Sequence, residues 1–99
     1  MNGYCVYIMT NRTRTTLYIG MTGNLERRVA EHKSGTGGFS RLYRTTLLMH
    51  FECCDNVNEA IAREKQLKGW SRAKKDALIA VDNPERIDLA IDWLAQIEA

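Results

Sequence analysis

The sequence predicts an α/β (α+β) fold, a small central antiparallel sheet of three strands flanked by helices. Three observations carry that expectation. Two short runs rich in aromatic and β-branched residues, Tyr4–Met9 and Thr15–Ile19, are separated by the polar stretch Thr10–Arg14, which suits an exposed hairpin loop. A third run, Thr45–Cys54, is the best candidate for a buried strand. Segments of helical period with good N-cap residues follow the second and third runs.

In strand 1, Cys5, Tyr7 and Met9 share one face and Tyr4, Val6 and Ile8 the other. Gly20 and Gly23 loosen the exit from strand 2, and Asn24 caps a helix that runs to about Lys33 and ends at Ser34-Gly35. On this helix Leu25, Val29 and His32 form an apolar-side stripe. Arg28 borders the stripe, whereas Arg27 and Glu31 point to the opposite side. Arg28 is therefore expected to be aimed at something. The segment Ser34–Ser40 is glycine-rich, either a flexible connector or a loop that touches phosphates, and Arg41 and Arg44 lie just beyond it. It lacks the Lys-Ser/Thr ending of a nucleotide-binding loop. His50 reads as a half-exposed strand histidine rather than a ligand.

Asn56 or Asn58 caps the next helix, which runs to about Lys68 and closes at Gly69. Glu64 falls among Ala60, Ile61 and Leu67, inside the apolar stripe. A carboxylate there needs a partner, because burying it alone costs several kcal/mol. Two readings stay open, an ion pair with a cation such as Arg28, and a metal-ligand carboxylate. Ser71 caps a short helix from Arg72 to about Val81. Arg72, Lys74 and Lys75 crowd its first turns, where the helix dipole disfavours cations. That is either phosphate contact or a surface charge cluster. Asn83-Pro84 breaks the chain, and Ile87, Ala90, Ile91, Leu94 and Ile97 predict a final amphipathic helix at about 85–98 that packs on the sheet or on a partner, including another copy of the chain.

The bulk properties fit one domain over 1–99, with its motif core at about 4–81. An apolar content of 44% with 26% charged residues argues against disorder. The net charge of +2 conceals an uneven distribution: residues 1–50 carry +5, 51–81 carry +1 and 82–99 carry −4. A basic front half points to a polyanionic partner. Cys5, Cys53 and Cys54 lack metal-ligand spacing, and Cys53 and Cys54, being adjacent in a strand, point apart. They are expected to be small buried hydrophobes of a reducing cytosol. With no secretory signal ahead of Tyr4 and no apolar run long enough for a bilayer, the expectation is a cytoplasmic, non-membrane protein.

Cys5-Val6-Tyr7, the intact Tyr18-Ile19-Gly20, Asn24-Leu25-Glu26-Arg27-Arg28-Val29 with His32, and Ala60-Ile61-Ala62-Arg63-Glu64 together resemble the motifs of the GIY-YIG nuclease superfamily. Gly38-Phe39-Ser40, Tyr43, Asn83-Pro84, Asp88-Leu89 and Trp93 are similar to features of its small single-domain bacterial members. The likeness spans nearly the whole chain. It departs at Cys5 and Val6, which stand where the first motif has Gly and Ile. It departs again after Glu64, where the helix lacks the late asparagine of some members and Asn83 is a poor substitute.

The resemblance implies metal-dependent hydrolysis of phosphodiester bonds in DNA, with RNA left open. Specificity would be weak in sequence and directed at DNA structure or ends, as repair or recombination requires. It further implies a single Mg²⁺ or Mn²⁺ held by Glu64 and waters, with Arg28 gripping phosphate oxygens. Tyr7 would be the general base, with Tyr18 and His32 orienting or relaying protons. Lys33, Arg41, Arg44, Lys68, Arg72, Lys74 and Lys75 are expected along the nucleic acid backbone, and Gly20 and Asn24 are structural. Two other readings use the same residues: a binding module without cleavage, and a protein-interaction domain.

Overall fold

The computed structural model describes residues 3–35 and 42–93. In chain order these form β1 (Tyr4–Thr10), β2 (Leu17–Thr22), α1 (Leu25–Ser34), β3 (Leu47–Cys54), α2 (Val57–Gly69) and α3 (Arg72–Asp82). The sheet is antiparallel in the order β2-β1-β3, so β1 is central and buried along six of its seven residues. Its loop to β2 is built by Asn11, whose side-chain oxygen accepts from the Thr15 and Thr16 amides at 2.9 and 3.1 Å. The expected three-stranded α+β architecture is the observed one.

Strand alternation splits the core into two layers. Cys5, Tyr7 and Met9 face α1 and pack with Leu25, Val29 and Leu48. Val6, Ile8, Ile19 and Met49 face the other way, onto Ala60 and Leu67 of α2 and Ile79 of α3. Each such fully buried aliphatic side chain is worth about 1.5–3 kcal/mol. The helices begin where local chemistry places them. Asn24, Asn56 and Ser71 each accept backbone N–H groups of the first turn, and α1 stops at Gly35 in the left-handed conformation.

Four expectations change. Cys5 and Cys53 are not separate small hydrophobes: they are direct cross-strand partners, with Cα atoms 4.0 Å apart, and form a disulfide, leaving Cys54 as the free thiol. Comparing only the adjacent Cys53 and Cys54 missed a pairing that the β1–β3 register creates, and the cysteines give no support for a reducing compartment. His50 is buried rather than half-exposed, with Nε2 2.8 Å from Glu52.

Gly20 does not loosen the end of β2, since it lies within the strand (its role appears below). Finally, the first part of the predicted last helix, 85–92, runs as turns and irregular chain; Trp93 is helical, and 94–98 lies outside the described residues. Asn83 bonds both ways with Ile87, and Asp88 accepts from the Leu48 and Ala90 amides. The Leu89 amide then donates to the Leu48 carbonyl at 2.9 Å. Over 85–92 these side-chain and edge-strand bonds outcompete the helix that the apolar period predicts. No described helix is long and apolar enough to cross a membrane.

Candidate active site

Tyr7 projects from the middle of β1 toward α1, and Gly20 sits opposite it on β2. A Cβ at Gly20 would lie 2.6 Å from the Tyr7 hydroxyl and 2.8 Å from the Tyr18 ring. Only glycine lets the Tyr7 phenol cross β2 and settle beside Tyr18, with ring centroids 6.0 Å apart. Helix α1 is anchored by buried Leu25 and Val29 and carries Arg28 and His32, one turn apart, onto these phenols.

The contacts close into a cluster. Arg28 Nε donates to the Tyr7 hydroxyl at 3.2 Å, Nη2 to the Tyr18 hydroxyl at 3.5 Å, and Nη1 to Glu31 at 2.9 Å. His32 Nε2 lies 3.1 Å from the Tyr7 hydroxyl, and its Nδ1 lies 3.3 Å from Thr45 Oγ1. The Thr45 backbone also accepts from the ring, which favours the neutral tautomer with its proton on Nδ1 and Nε2 accepting a hydrogen bond from the Tyr7 hydroxyl. Burial, reinforced by Arg28, lowers His32 to about 4, which keeps the ring neutral at ordinary pH.

Tyr7 departs from expectation. Arg28 pulls its pKa down, but burial and neighbouring Tyr18 outweigh that pull and push the phenol well above its usual value. Tyr7 is also fully buried, whereas Tyr18 is half-buried. The Tyr18 and Tyr7 hydroxyls, and Glu31 after them, hold the Arg28 guanidinium more firmly protonated than usual. Of the five N–H donors of a guanidinium, three are spent in these contacts, leaving one on each terminal nitrogen among the described residues. Arg28 borders a cleft of about 380 Å³ shared with Thr22, Gly23, Asn24, Arg27 and Glu31.

The remaining site expectations divide. Glu64 lies at the margin of the buried stripe, its side chain 22% exposed, and its ion partner is Lys68 at 3.6 Å, not Arg28. Helix α2 covers the sheet face opposite Tyr7. Glu31, assigned to the solvent side, is instead the carboxylate that touches Arg28, an i, i+3 pairing that the sequence spacing permitted. Thr45 was missed because its role depends on a contact thirteen residues from His32.

Lys33 and Arg72, expected on nucleic acid, are also held by contacts within the protein. Lys33 bonds Asp88 and the Thr46 carbonyl. Arg72 holds the Arg14 and Thr15 carbonyls at 2.6 and 2.9 Å and pairs with Asp76. Lys74 lies over the Trp70 ring, 5.6 Å from its centroid, and Arg44 is exposed. Arg41 lies outside the described residues. Asn83 is 3% exposed, with its amide bonded to the Met49 and Ile87 carbonyls, so it is part of the fold.

Residues 3–76 match the family model for the GIY-YIG catalytic domain. The chain belongs to the GIY-YIG family. It is 39% identical over 79 residues to the UPF0213 protein of Haloquadratum walsbyi, covering 79% of this chain and 89% of that one. It is 42% identical over 84 residues to the UPF0213 protein of Syntrophus aciditrophicus, with 83% and 94% covered. The solution NMR structure of the UPF0213 protein from Bacillus halodurans superposes with a TM-score of 0.54 at 26% identity, covering 89% of this chain and 95% of that one.

GIY-YIG membership implies nuclease-type activity on nucleic acid, and GIY-YIG nucleases are typically dependent on a divalent metal. Among the described residues no group of three His, Cys, Asp or Glu side chains could hold an ion. Mg²⁺, however, is commonly bound through one or two carboxylates, waters and substrate phosphates. A partly exposed Glu64, with only a loose lysine partner, fits that open mode and no closed cage.

Proposed function

We propose that this protein hydrolyses phosphodiester bonds in DNA in a metal-dependent reaction, with Tyr7, Tyr18, Arg28 and His32 as its catalytic cluster. The observation that carries the reading is Arg28 itself. It is fixed from within by two neutral phenols and keeps two N–H donors for an incoming anion. That fork suits the non-bridging oxygens of a phosphate, where negative charge builds during hydrolysis.

The two tyrosines take different parts. Tyr18, the less buried of the two, orients the attacking water or a substrate oxygen beside Arg28. Tyr7 holds Arg28 Nε in place, and its hydroxyl is oriented by His32 Nε2 at 3.1 Å. Because burial keeps Tyr7 protonated, its phenolate needs more positive charge than Arg28 alone provides. Glu64 is the residue that would hold Mg²⁺ or Mn²⁺. Such an ion supplies charge neutralisation at the phosphate and acidifies bound water.

The groups brought to the site address phosphate rather than base edges, which favours DNA ends, flaps or branches over a defined sequence. Processing of this kind serves repair and recombination. The test is cleavage of labelled single-stranded, duplex, flap and branched DNA, with an RNA strand in parallel, in Mg²⁺ or Mn²⁺. Metal-dependent products that disappear in Glu64→Ala, with DNA binding retained, are expected. Products insensitive to Glu64→Ala contradict the metal assignment. Binding without any cleavage by the wild type replaces the nuclease reading with that of a binding module.

A further inference from the structure

The basic side chains sort into two groups. Arg63, Arg72 and Lys33 are each tied to carboxylates or backbone carbonyls and have structural work. Lys68 and Lys75 are different. They come from separate helices, α2 and α3, and line one hollow of about 260 Å³ together with Leu17, Tyr18 and Ile19. Lys68 reaches its acid, Glu64, only at 3.6 Å. Lys75 is half-buried and has no ion pair among the described residues. The hollow thus gathers two ammonium-bearing side chains from different helices, and an anion entering it would meet both.

The position of the hollow says which anion. β2 is an edge strand. Leu17 and Ile19 pack toward α2 and α3, while Tyr18 packs toward α1. A hollow lined by all three must wrap around the free edge of β2, where the sheet also leaves backbone N–H groups without a strand partner. Tyr18 therefore belongs to both places, with its hydroxyl at Arg28 Nη2 and its residue in the wall of the hollow. An anion bound by Lys68 and Lys75 would lie next to one bound by Arg28. The ligand that presents anions in series at close spacing is a nucleic acid backbone.

We propose that Lys68 and Lys75 form a second phosphate subsite, which binds the backbone phosphate neighbouring the one at Arg28 and leads the substrate strand over the free edge of β2. This rests on the reading of Arg28 as the phosphate-binding group of a DNA-cleaving site. It gives the two lysines a role beyond general basic charge. It also explains how groups on α2, which covers the far face of the sheet, come near a strand held at the α1 face.

The test measures binding in EDTA, so that cleavage plays no part. Fluorescence anisotropy of a labelled DNA single strand of about 20 nucleotides is followed from about 50 to 200 mM salt, for wild type, Lys68→Gln, Lys75→Gln and, as a control of equal charge, Lys65→Gln. Lys65 lies on α2, is exposed, and does not line the hollow. Each subsite variant should bind about tenfold more weakly and lower the salt slope by about 0.7, while Lys65→Gln stays within about twofold of wild type. Thermal melts of all four proteins check that the fold is intact. If the Lys68 and Lys75 variants match Lys65→Gln while wild type binds DNA, the subsite is wrong and the nuclease reading stands. If wild type binds no DNA under these conditions, both fall together.

Discussion

Arg28 and Arg63 sit on helices that cover opposite faces of the same sheet, and both have three side-chain hydrogen bonds. Arg63 grips Glu52 through Nε and Nη2 at 2.8 and 3.0 Å, reaches Gln66 with Nη1, and lies 5.1 Å from the Trp70 ring centroid. Its charge is met by a carboxylate in the bidentate geometry that guanidinium favours. Arg28 spends two of its three contacts on phenols, which fix its position without neutralising it, and only one on Glu31. The same residue type is thus a fastener on one face and a presented charge on the other. What separates them is the charge of the inner partner, and this is why we propose the α1 face as the working side.

The comparison can be broken in several places, of which acid should have the largest effect on stability. His32, lowered to about 4, stays neutral in the folded protein while its unfolded counterpart, near 6.5, takes up a proton. The unfolded state then binds more protons, so stability falls with pH from about 6.5 downward, reaching a loss of about 3 kcal/mol near pH 4. The carboxylates lowered by their arginine partners, Glu31 and Glu52, add to the same slope only as pH approaches their ordinary unfolded range, so they contribute little between about pH 6.5 and 5.5. Urea unfolding across that interval should show the slope in wild type and a flat profile in His32→Gln. A slope that persists in the variant would deny the buried neutral imidazole.

Next comes Gly20→Ala, whose methyl group meets the Tyr7 hydroxyl at 2.6 Å. A loss of about 2 kcal/mol in urea unfolding is expected, as for overpacked cores, together with loss of cleavage because both phenols must shift. Full activity in Gly20→Ala would show that the phenols do not need this placement. The smallest effect belongs to the other face. Arg63→Met leaves Glu52 with His50 alone and should destabilise by about 1–2 kcal/mol. Cleavage by the folded protein should stay within about threefold of wild type. A collapse of activity in Arg63→Met would erase the distinction between the two arginines.

Much of this arrangement was legible in the sequence where it depended on neighbours along the chain. Asn24, Asn56 and Ser71 cap their helices because capping is decided within three residues. Arg28 and His32 could be placed on one side of α1 by helical spacing, and Tyr7 and Tyr18 by strand spacing and the family pattern. What stayed hidden depended on register and on distant backbone. Cys5 meets Cys53 only because β1 and β3 pair as they do. Lys33 and Arg72 read as free cations until the Thr46, Arg14 and Thr15 carbonyls arrive from elsewhere in the chain. The segment after Asn83 carries a helical apolar period, yet the bonds of Asn83 and Asp88 to backbone decide its path. Glu64 shows the same division: its stripe position was readable, and its partner was not.

The central claim is that Arg28 presents its charge to a substrate phosphate, and the most direct measurement is metal-dependent cleavage by Arg28→Lys beside Arg63→Lys, at matched folded fraction. A lysine keeps the charge at either site but loses the planar fork. The account predicts at least a hundredfold loss of cleavage for Arg28→Lys, in line with removal of a transition-state donor, and a change within about threefold for Arg63→Lys. Equal activity in the two variants would contradict it.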